Sequence, residues 1–287
     1  MRRLALIFFA YVFLSAMAPC AAYAQGKPAD LPLTVLSEDN LAFSDGEQLN
    51  YTFNYKWGMV RTDIAHGSLS AVKDTPGDGS VFHARMFART AKFFDGFFKV
   101  REDFNSWFAA DGMTPVRFTR DTQEGGYWCR NELEFVWNAP QPHINSTFES
   151  EKKGVLKAEM PIEKPRMFDV ISLIYAIRNV DMDRIQPGVP YGITFAVDDD
   201  VFNIALTFRQ KENRNVKGLG TVKALRFDVS VIAGEVFSGE ESLSLWLSDD
   251  ANRIPVYFEA AIKIGKVRGR LTSAEGLKHE SVITTLN

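Results

Sequence analysis

Ten residues near the amino terminus, 48–57, read QLNYTFNYKW and decide the fold. Their large side chains recur at every second position, at Leu49, Tyr51, Phe53, Tyr55 and Trp57. Because successive residues of a β-strand point to opposite faces, this spacing places all five on one face of a strand. Aromatic residues also suit a half-buried pleated surface. The stretch therefore predicts a strand with one face packed into a core.

The same alternation recurs along the chain. It predicts further strands near residues 80–90, 201–209, 225–231, 243–247 and 254–264. Turn-forming residues separate these segments, as at Gly125-Gly126 and Gly218-Leu219-Gly220. Short strands at hairpin spacing indicate antiparallel sheet, arranged as a sandwich, a barrel or a strongly curved sheet. We expect a mainly β protein with a curved antiparallel sheet or open half-barrel.

One segment has the periodicity of a helix. Asp169 is a suitable N-cap, and Val170, Leu173, Ile174 and Ile177 follow at helical spacing. This pattern predicts one short amphipathic helix, from about residue 169 to 180. Its apolar face needs a buried partner, and the concave side of the sheet is the expected place.

The first 24 residues have the form of a cleavable secretory signal. Arg2 and Arg3 precede an apolar run, and Ala22-Tyr23-Ala24 has the pattern accepted by signal peptidase. The run is too short to cross a bilayer, which takes about 20 residues. Cys20 suggests lipidation, but Pro19 makes a poor cleavage site for a lipoprotein. We expect an exported protein of the periplasm, released from the membrane or associated with the outer membrane.

The remaining chain is predicted to form one domain. Residues 25–40 are polar and contain prolines, which indicates a flexible leader. Residues 41–287 are predicted to be a single β-rich domain, because no linker separates the strands on the two sides of the helix. After the signal, no long apolar run predicts a transmembrane segment.

Motifs for chemistry are absent from the sequence. The four histidines are widely spaced, and HExxH, CxxC, GxSxG and phosphate-binding glycine loops do not occur. We therefore predict no catalytic residue, no metal site and no cofactor. A net charge of −3 gives no broad field for attracting nucleic acid. Cys129, the one cysteine after the signal, is interpreted as a small buried apolar residue.

Acidic residues cluster at a few positions with two interpretations each. Asp198-Asp199-Asp200 and the segment 249–252 are candidates for calcium binding, but a hairpin turn is the simpler account. Glu102 and Asp103 are adjacent, so on a strand they point to opposite faces and cannot flank one glycosidic bond.

Aromatic residues supply the candidate binding site. The run 93–98 reads FFDGFF and places four phenylalanines around a predicted turn. Since turns lie at the surface, these rings are either a hydrophobic lip or the core residues of two hairpin strands. The residues predicted to line or gate an apolar cavity are Tyr51, Tyr55, Trp57, Phe93, Phe94, Phe97, Phe98 and Leu173.

Three stretches carry a resemblance to a known family. They are residues 43–51 with Trp57-Gly58, the helix 169–178, and residues 245–250 with 253–256 and 264–267. On these the chain resembles the bacterial exported family of domain of unknown function 3108. That resemblance implies a Gram-negative envelope location and no particular activity. The predicted plan also resembles the half-barrels of periplasmic lipoprotein carriers, without a shared motif.

Three functions are compatible with these features. The first is a non-catalytic periplasmic protein that holds a lipid or another amphiphile in the concave face of the sheet. The second is an envelope scaffold that binds another protein. The third is a glycan or lipid hydrolase, for which a structure would show two carboxylates facing each other across a cleft.

Overall fold

The computed structural model of the protein describes residues 28–57, 60–74, 81–233, 236–237, 243–261 and 266–283. Within these residues the chain forms seventeen strands and two α-helices. The first nine strands are β1 (Ala29–Asp30), β2 (Glu47–Trp57), β3 (Val60–Asp74), β4 (Val81–Thr90), β5 (Val100–Ala109), β6 (Pro115–Glu124), β7 (Tyr127–Val136), β8 (His143–Ser150) and β9 (Gly154–Pro161). The others are β10 (Phe168–Asp169), β11 (Pro190–Val197), β12 (Asp200–Val216), β13 (Gly220–Ala233), β14 (Val236–Phe237), β15 (Leu243–Ser248), β16 (Pro255–Ala261) and β17 (Lys266–Glu275).

All of these strands belong to one curved sheet. Its order is β1-β10-β11-β12-β13-β14-β15-β16-β17-β2-β3-β4-β5-β6-β7-β8-β9, with β1 also pairing β11 and β13 also pairing β15. Neighbours are antiparallel, except that β1 and β10 run parallel to β11. β17 pairs with β2, which joins the strands that follow the helix to those that precede it. The predicted curved antiparallel sheet is confirmed, and it is not closed into a barrel.

β2 is the strand that the opening stretch predicts. Leu49, Tyr51 and Phe53 are buried in the core, as the alternation requires. The register with β3 then shifts between Phe53 and Asn54, which marks a bulge. Because a bulge turns the strand and changes the direction of its side chains, the alternation does not continue unchanged to Tyr55, which is only half-buried.

The two helices are α1 (Lys92–Asp95) and α2 (Val170–Arg178). α2 confirms the predicted helix, and Asp169 caps it by accepting from the backbone amides of Ile171 and Ser172 at 2.8 and 2.9 Å. The hydroxyl of Ser172 in turn accepts from the amide of Asp169, which completes a capping box. α1 is a single turn where the sequence predicts only a turn.

The residues just before β2 are packed and not a free leader. Of the predicted flexible segment 25–40, the described part forms β1 at the sheet edge, and Leu31 and Leu33 are buried in the core. Their apolar side chains pack beside β11 and the end of α2. The prolines around them are typical of a loop, so the sequence does not indicate this packing. The domain therefore begins before residue 41. The predicted signal, residues 1–24, lies outside the described residues.

The core fills the concave side of the sheet. α2 lies there, with seven of its residues fully or nearly fully buried in addition to Arg178: Val170, Ile171, Ser172, Leu173, Tyr175, Ala176 and Ile177. A single apolar cluster joins α2 to strands from both halves of the chain. In the described part of the chain, neither helix is long and apolar enough to span a membrane.

Candidate functional site

An apolar cavity of about 120 Å³ lies between α2 and the sheet. The helix contributes Val170, Leu173, Ile174 and Ile177 to its wall. The sheet contributes Tyr51, Phe53, Ser68, Leu69, Met86, Phe87, Ile204, Val229, Leu243, Leu245, Leu247, Pro255 and Phe258. Its wall presents almost only carbon to the interior, and the cavity is partly open. Such a surface favours an apolar occupant.

Two glycines make room for the aromatic rings that line this cavity. A Cβ on Gly67 would stand 2.7 Å from the ring of Phe53, and one on Gly269 would stand within contact of the ring of Phe258. The rings of Phe53 and Phe258 lie 5.9 Å apart. The bare backbone of β3 and β17, the two strands on either side of β2, therefore lets both rings lie along the sheet surface.

A buried ion pair lies where α2 ends. Arg178 and Glu47 are both fully buried, and the guanidinium donates to the two carboxylate oxygens at 2.5 and 2.7 Å. Arg178 also donates to the backbone carbonyls of Asn252 and Ala42. Its guanidinium lies 5.6 Å from the ring centre of Phe43. This pair fixes α2 to the start of β2.

Two phenol groups lie near that pair with unsatisfied hydroxyls. Among the described residues, the hydroxyls of Tyr51 and Tyr175 are buried and have no hydrogen-bond partner. Burial raises the pKa of each phenol above its ordinary value, and the Glu47 carboxylate raises it further while Arg178 opposes the change. Both phenols are therefore neutral, and Tyr51 also forms part of the cavity wall.

A second polar network occupies the inner face of β5 to β8. Arg120 donates to the carboxylate of Asp198 at 2.8 Å, and Asn131 accepts from the backbone amide of Asp198. Ser146 donates to the Asp198 carbonyl. Asp198 has a φ of 56° and lies in the turn between β11 and β12. The network therefore fastens this turn across the concave side of the sheet. A hairpin turn at Asp198-Asp199-Asp200 is what the sequence predicts, but these contacts of the turn are not.

Glu102 belongs to the same network. It accepts from the hydroxyl of Thr122 at 2.6 Å and shares a hydrogen bond with Glu124. Burial raises the pKa of Glu102 to about 8, and the nearby guanidinium of Arg120 opposes this shift. Both carboxyl groups are buried, so they do not face an open cleft as a glycosidase pair does. Cys129 is buried beside this network, and burial also raises the pKa of its thiol.

The eight predicted ligand-binding residues lie in three places. Tyr51 and Leu173 meet at the cavity. Tyr55 is half-buried on β2 and is not part of the cavity wall, and the side chain of Trp57 lies outside the described part. The four phenylalanines surround α1, where Phe93 and Phe97 are exposed and Phe94 and Phe98 are half-buried. The structure thus does not bring these phenylalanines into the cavity.

Sequence reasoning also missed residues that form the site. The strands after α2 supply Ile204, Val229, Leu243 and Leu245 to the cavity, whereas the sequence predicts only that these residues alternate along strands. Glu47 and Arg178 lie in the family-like stretches, but a contact between positions so distant in sequence leaves no local pattern. A buried arginine in an otherwise apolar helix was the one available signal, because such a charge needs a partner.

A larger groove of about 440 Å³ lies where β9 approaches β11 and β12. Its wall includes the exposed carboxylates of Glu159, Glu163, Asp199 and Asp200, together with Lys164. Mixed charges in contact with solvent do not define a ligand, and the described residues contain no group of three side chains able to hold a metal ion. The cavity under α2 is the better candidate site.

These features define the class of protein: a curved open β-sheet that holds one helix over an apolar cavity. The sequence matches the model of a family described as a protein of unknown function (DUF3108) over residues 50–272, which is more than half of the chain. The chain belongs to this family, as the three stretches predicted. Comparison with curated proteins finds none that matches.

Two solved structures are similar to the chain. One is a β-barrel-like protein of the domain of unknown function DUF1849 from Brucella abortus, with 10% identity and a TM-score of 0.50. That match covers 82% of this chain and 99% of the other. A lipoprotein candidate from Parabacteroides distasonis ATCC 8503 has the same identity and coverage, with a TM-score of 0.31. At this identity the Brucella structure supports the fold alone.

Proposed function

We propose that the protein is a non-catalytic binding protein that holds the apolar part of a lipid or other amphiphile under α2. The observation that carries this proposal is the cavity wall, which presents side chains of α2 and of strands from both halves of the sheet and almost no polar surface. A space of this kind repels water and is stabilised by an apolar guest.

The size of the cavity limits what enters it as it stands. A dry cavity of roughly 150 Å³ lined by Leu, Ile and Phe is large enough for benzene. At about 120 Å³, the cavity under α2 accommodates a group of similar size, such as the end of an acyl chain. Each buried methylene contributes about 0.8 kcal/mol, so affinity should rise with the length of the acyl chain that is buried. A longer guest continues through the open side.

The envelope is the proposed location. The amino-terminal pattern of residues 1–24 supports export, and a compartment between two membranes offers amphiphiles that need shielding from water. Cys129, the one cysteine in the described part of the chain, is buried and forms no disulfide, so this part relies on packing for stability there.

Two substitutions test the cavity directly. Leu245→Trp introduces a large ring at the cavity wall, whereas Leu156→Trp makes the same change at a partly exposed leucine of β9, outside the wall. The probe is cis-parinaric acid, a fatty acid whose fluorescence rises in an apolar site. We expect the unaltered protein and Leu156→Trp to bind it, and Leu245→Trp to bind about tenfold more weakly, a loss of ~1.4 kcal/mol.

Mass spectrometry of the gently purified protein supplies an independent measurement. Co-purified lipid that is depleted in Leu245→Trp supports the proposal. If the delipidated protein leaves the fluorescence of cis-parinaric acid unchanged, or if both tryptophan variants bind it equally, the cavity is not the binding site.

A further inference from the structure

An aromatic lip projects from the molecule between β4 and β5. We define it as residues 92–99, KFFDGFFK, which contain α1. Phe93 and Phe97 are 75% and 79% exposed, far more than any other aromatic side chain in the described part of the chain. Their ring centres lie 6.0 Å apart, and the ring of Phe94 lies 5.1 Å from that of Phe93. Water-exposed rings held together in this way are costly unless something covers them.

The lip is held in place and is not a loose loop. Asp95 accepts from Arg101 through both carboxylate oxygens, at 3.0 and 2.7 Å, and from the hydroxyl of Thr90. Phe98 packs on the other side against the β6–β7 turn, where a Cβ on Gly125 would meet its ring at 2.9 Å. These contacts fix the backbone so that Phe93 and Phe97 point outward. Rigid presentation lowers the entropy cost of inserting them into a partner.

The charges around the rings are positive. Lys92 and Lys99, the first and last residues of the lip, are exposed, while its one acid, Asp95, is neutralised by Arg101. Because antiparallel strands alternate in direction, the turn 151–153 after β8 lies at the same end of the sheet, and it adds exposed Lys152 and Lys153 beside Glu151. The exposed charges next to the rings are therefore mainly positive in a protein whose net charge is −3, while the exposed acids Asp199 and Asp200 at this end of the sheet lie in a different turn, between β11 and β12.

We propose that the aromatic lip docks on the surface of an anionic lipid bilayer. Phenylalanine rings enter the boundary between headgroups and acyl chains, while flanking lysines stay beside the phosphates. A protein partner is the weaker fit, since a stable interface buries about 800 Å² on each side and the lip is one short, convex turn. The lip follows β4, and β4 contributes Met86 and Phe87 to the cavity wall. Docking of the lip would therefore bring the cavity close to the membrane.

This inference goes beyond ligand binding and is tested separately. The purified protein is floated with vesicles of phosphatidylglycerol and phosphatidylcholine, and with vesicles of phosphatidylcholine alone. We expect binding to the anionic vesicles, weakened by salt. Phe93→Ser combined with Phe97→Ser should weaken it at least about tenfold. The matched control, Val35→Ser with Val116→Ser, changes two side chains that are 75% and 48% exposed at the opposite end of the sheet and should bind like the unaltered protein.

Two further variants locate the contact. Lys92→Glu with Lys99→Glu should abolish the preference for anionic vesicles, and Phe93→Trp should report insertion by a blue shift of its emission. The proposal is overturned if the unaltered protein does not float with anionic vesicles, or if the serine variants at Phe93 and Phe97 float as well as the control. Retained uptake of cis-parinaric acid in those variants would leave ligand binding intact and separate the two proposals.

Discussion

The guanidinium of Arg178 and the carboxylate of Glu47 form a fully buried, two-pronged ion pair between the last residue of α2 and the first residue of β2. The two nitrogen–oxygen distances are 2.5 and 2.7 Å. Arg178 donates further bonds to the carbonyls of Ala42 and Asn252, from loops before β2 and after β15. One arginine thus connects the helix to both halves of the sheet.

Glu47→Gln should destabilise the fold strongly. The change leaves the guanidinium of Arg178 buried without a counter-charge, and breaking one side of a buried pair costs about 3–5 kcal/mol. Urea unfolding followed by circular dichroism measures the loss. Asp249→Asn is the control, because its partner Lys211 is largely exposed and pairs of that kind contribute little. Equal effects of the two variants would contradict a special role for the Arg178–Glu47 pair.

Arg178→Met together with Glu47→Gln separates charge from packing. If the unpaired guanidinium causes the loss in Glu47→Gln, removing it should recover part of the stability, although the bonds to Ala42 and Asn252 are also lost. A double variant less stable than Glu47→Gln would instead mean that Arg178 acts mainly through its contacts to the two carbonyls.

Leu173→Asp should unfold the protein or open the sheet. Leu173 is 1% exposed on the face of α2 that lines the cavity, so the carboxylate would be buried in an apolar wall without a partner. We expect a loss of the cooperative thermal transition. Leu156→Asp, on the exposed edge strand β9, should melt close to the unaltered protein. An unchanged melting temperature for Leu173→Asp would mean that α2 does not close the sheet.

The two halves of the fold differ in how far the sequence predicts them. β2, β4 and the strands after α2 have an apolar inner face, so their alternation is visible. β5 to β8 place polar residues such as Glu102, Thr122 and Asn131 on the inner face, where they bond one another and the Asp198 turn. Alternation of apolar and polar residues weakens when the buried face is itself polar, so these strands are hard to recognise.

The candidate site was predictable only in part. Tyr51 and Leu173 both lie in the cavity wall, and each belongs to a clear local pattern that points into the core. The Phe93–Phe98 run has two interpretations from the sequence, a hydrophobic lip at the surface or core residues of two hairpin strands. The contact of Asp95 with Arg101 holds this run at the surface and away from the cavity wall, and such a contact has no signature in the sequence.

The stability of the protein should depend on pH through Glu102. Burial holds its pKa at about 8 in the folded state, against 4.5 for an ordinary glutamate, with Arg120 opposing and Glu124 adding to the shift. Between these values the folded protein binds more protons than the unfolded chain, so the free energy of unfolding falls as pH rises towards about 8. The contribution is complete below about pH 4.5 and is lost above about pH 8.

Glu102→Gln isolates this effect. Glutamine resembles the protonated acid, so the variant should match the unaltered protein near pH 5 and exceed its stability near pH 9. Burial also raises the pKa of Asp169, to about 6 from the ordinary 3.8. The free energy of unfolding of both proteins therefore also falls as pH rises through that lower range. Urea titrations above about pH 6.5 therefore report Glu102. A parallel decline of both proteins in that range would assign the pH dependence to another group.

Gly269→Ala should disturb the cavity wall through one ring. A Cβ at this position would overlap the ring of Phe258, which lies across from Gly269 on β16 and lines the cavity. The ring must move, and overpacking of this kind costs about 1–3 kcal/mol. Gly96→Ala is the control, because nothing lies within 4 Å of its Cβ and its φ of −69° suits any residue.

Urea unfolding gives the stability of the Gly269→Ala and Gly96→Ala variants, and binding of cis-parinaric acid reports changes in the cavity wall. Since a displaced Phe258 ring changes the space under α2, Gly269→Ala should alter probe binding beyond its effect on stability. A stable Gly269→Ala variant with normal probe binding would show that Phe258 moves freely and does not shape the cavity.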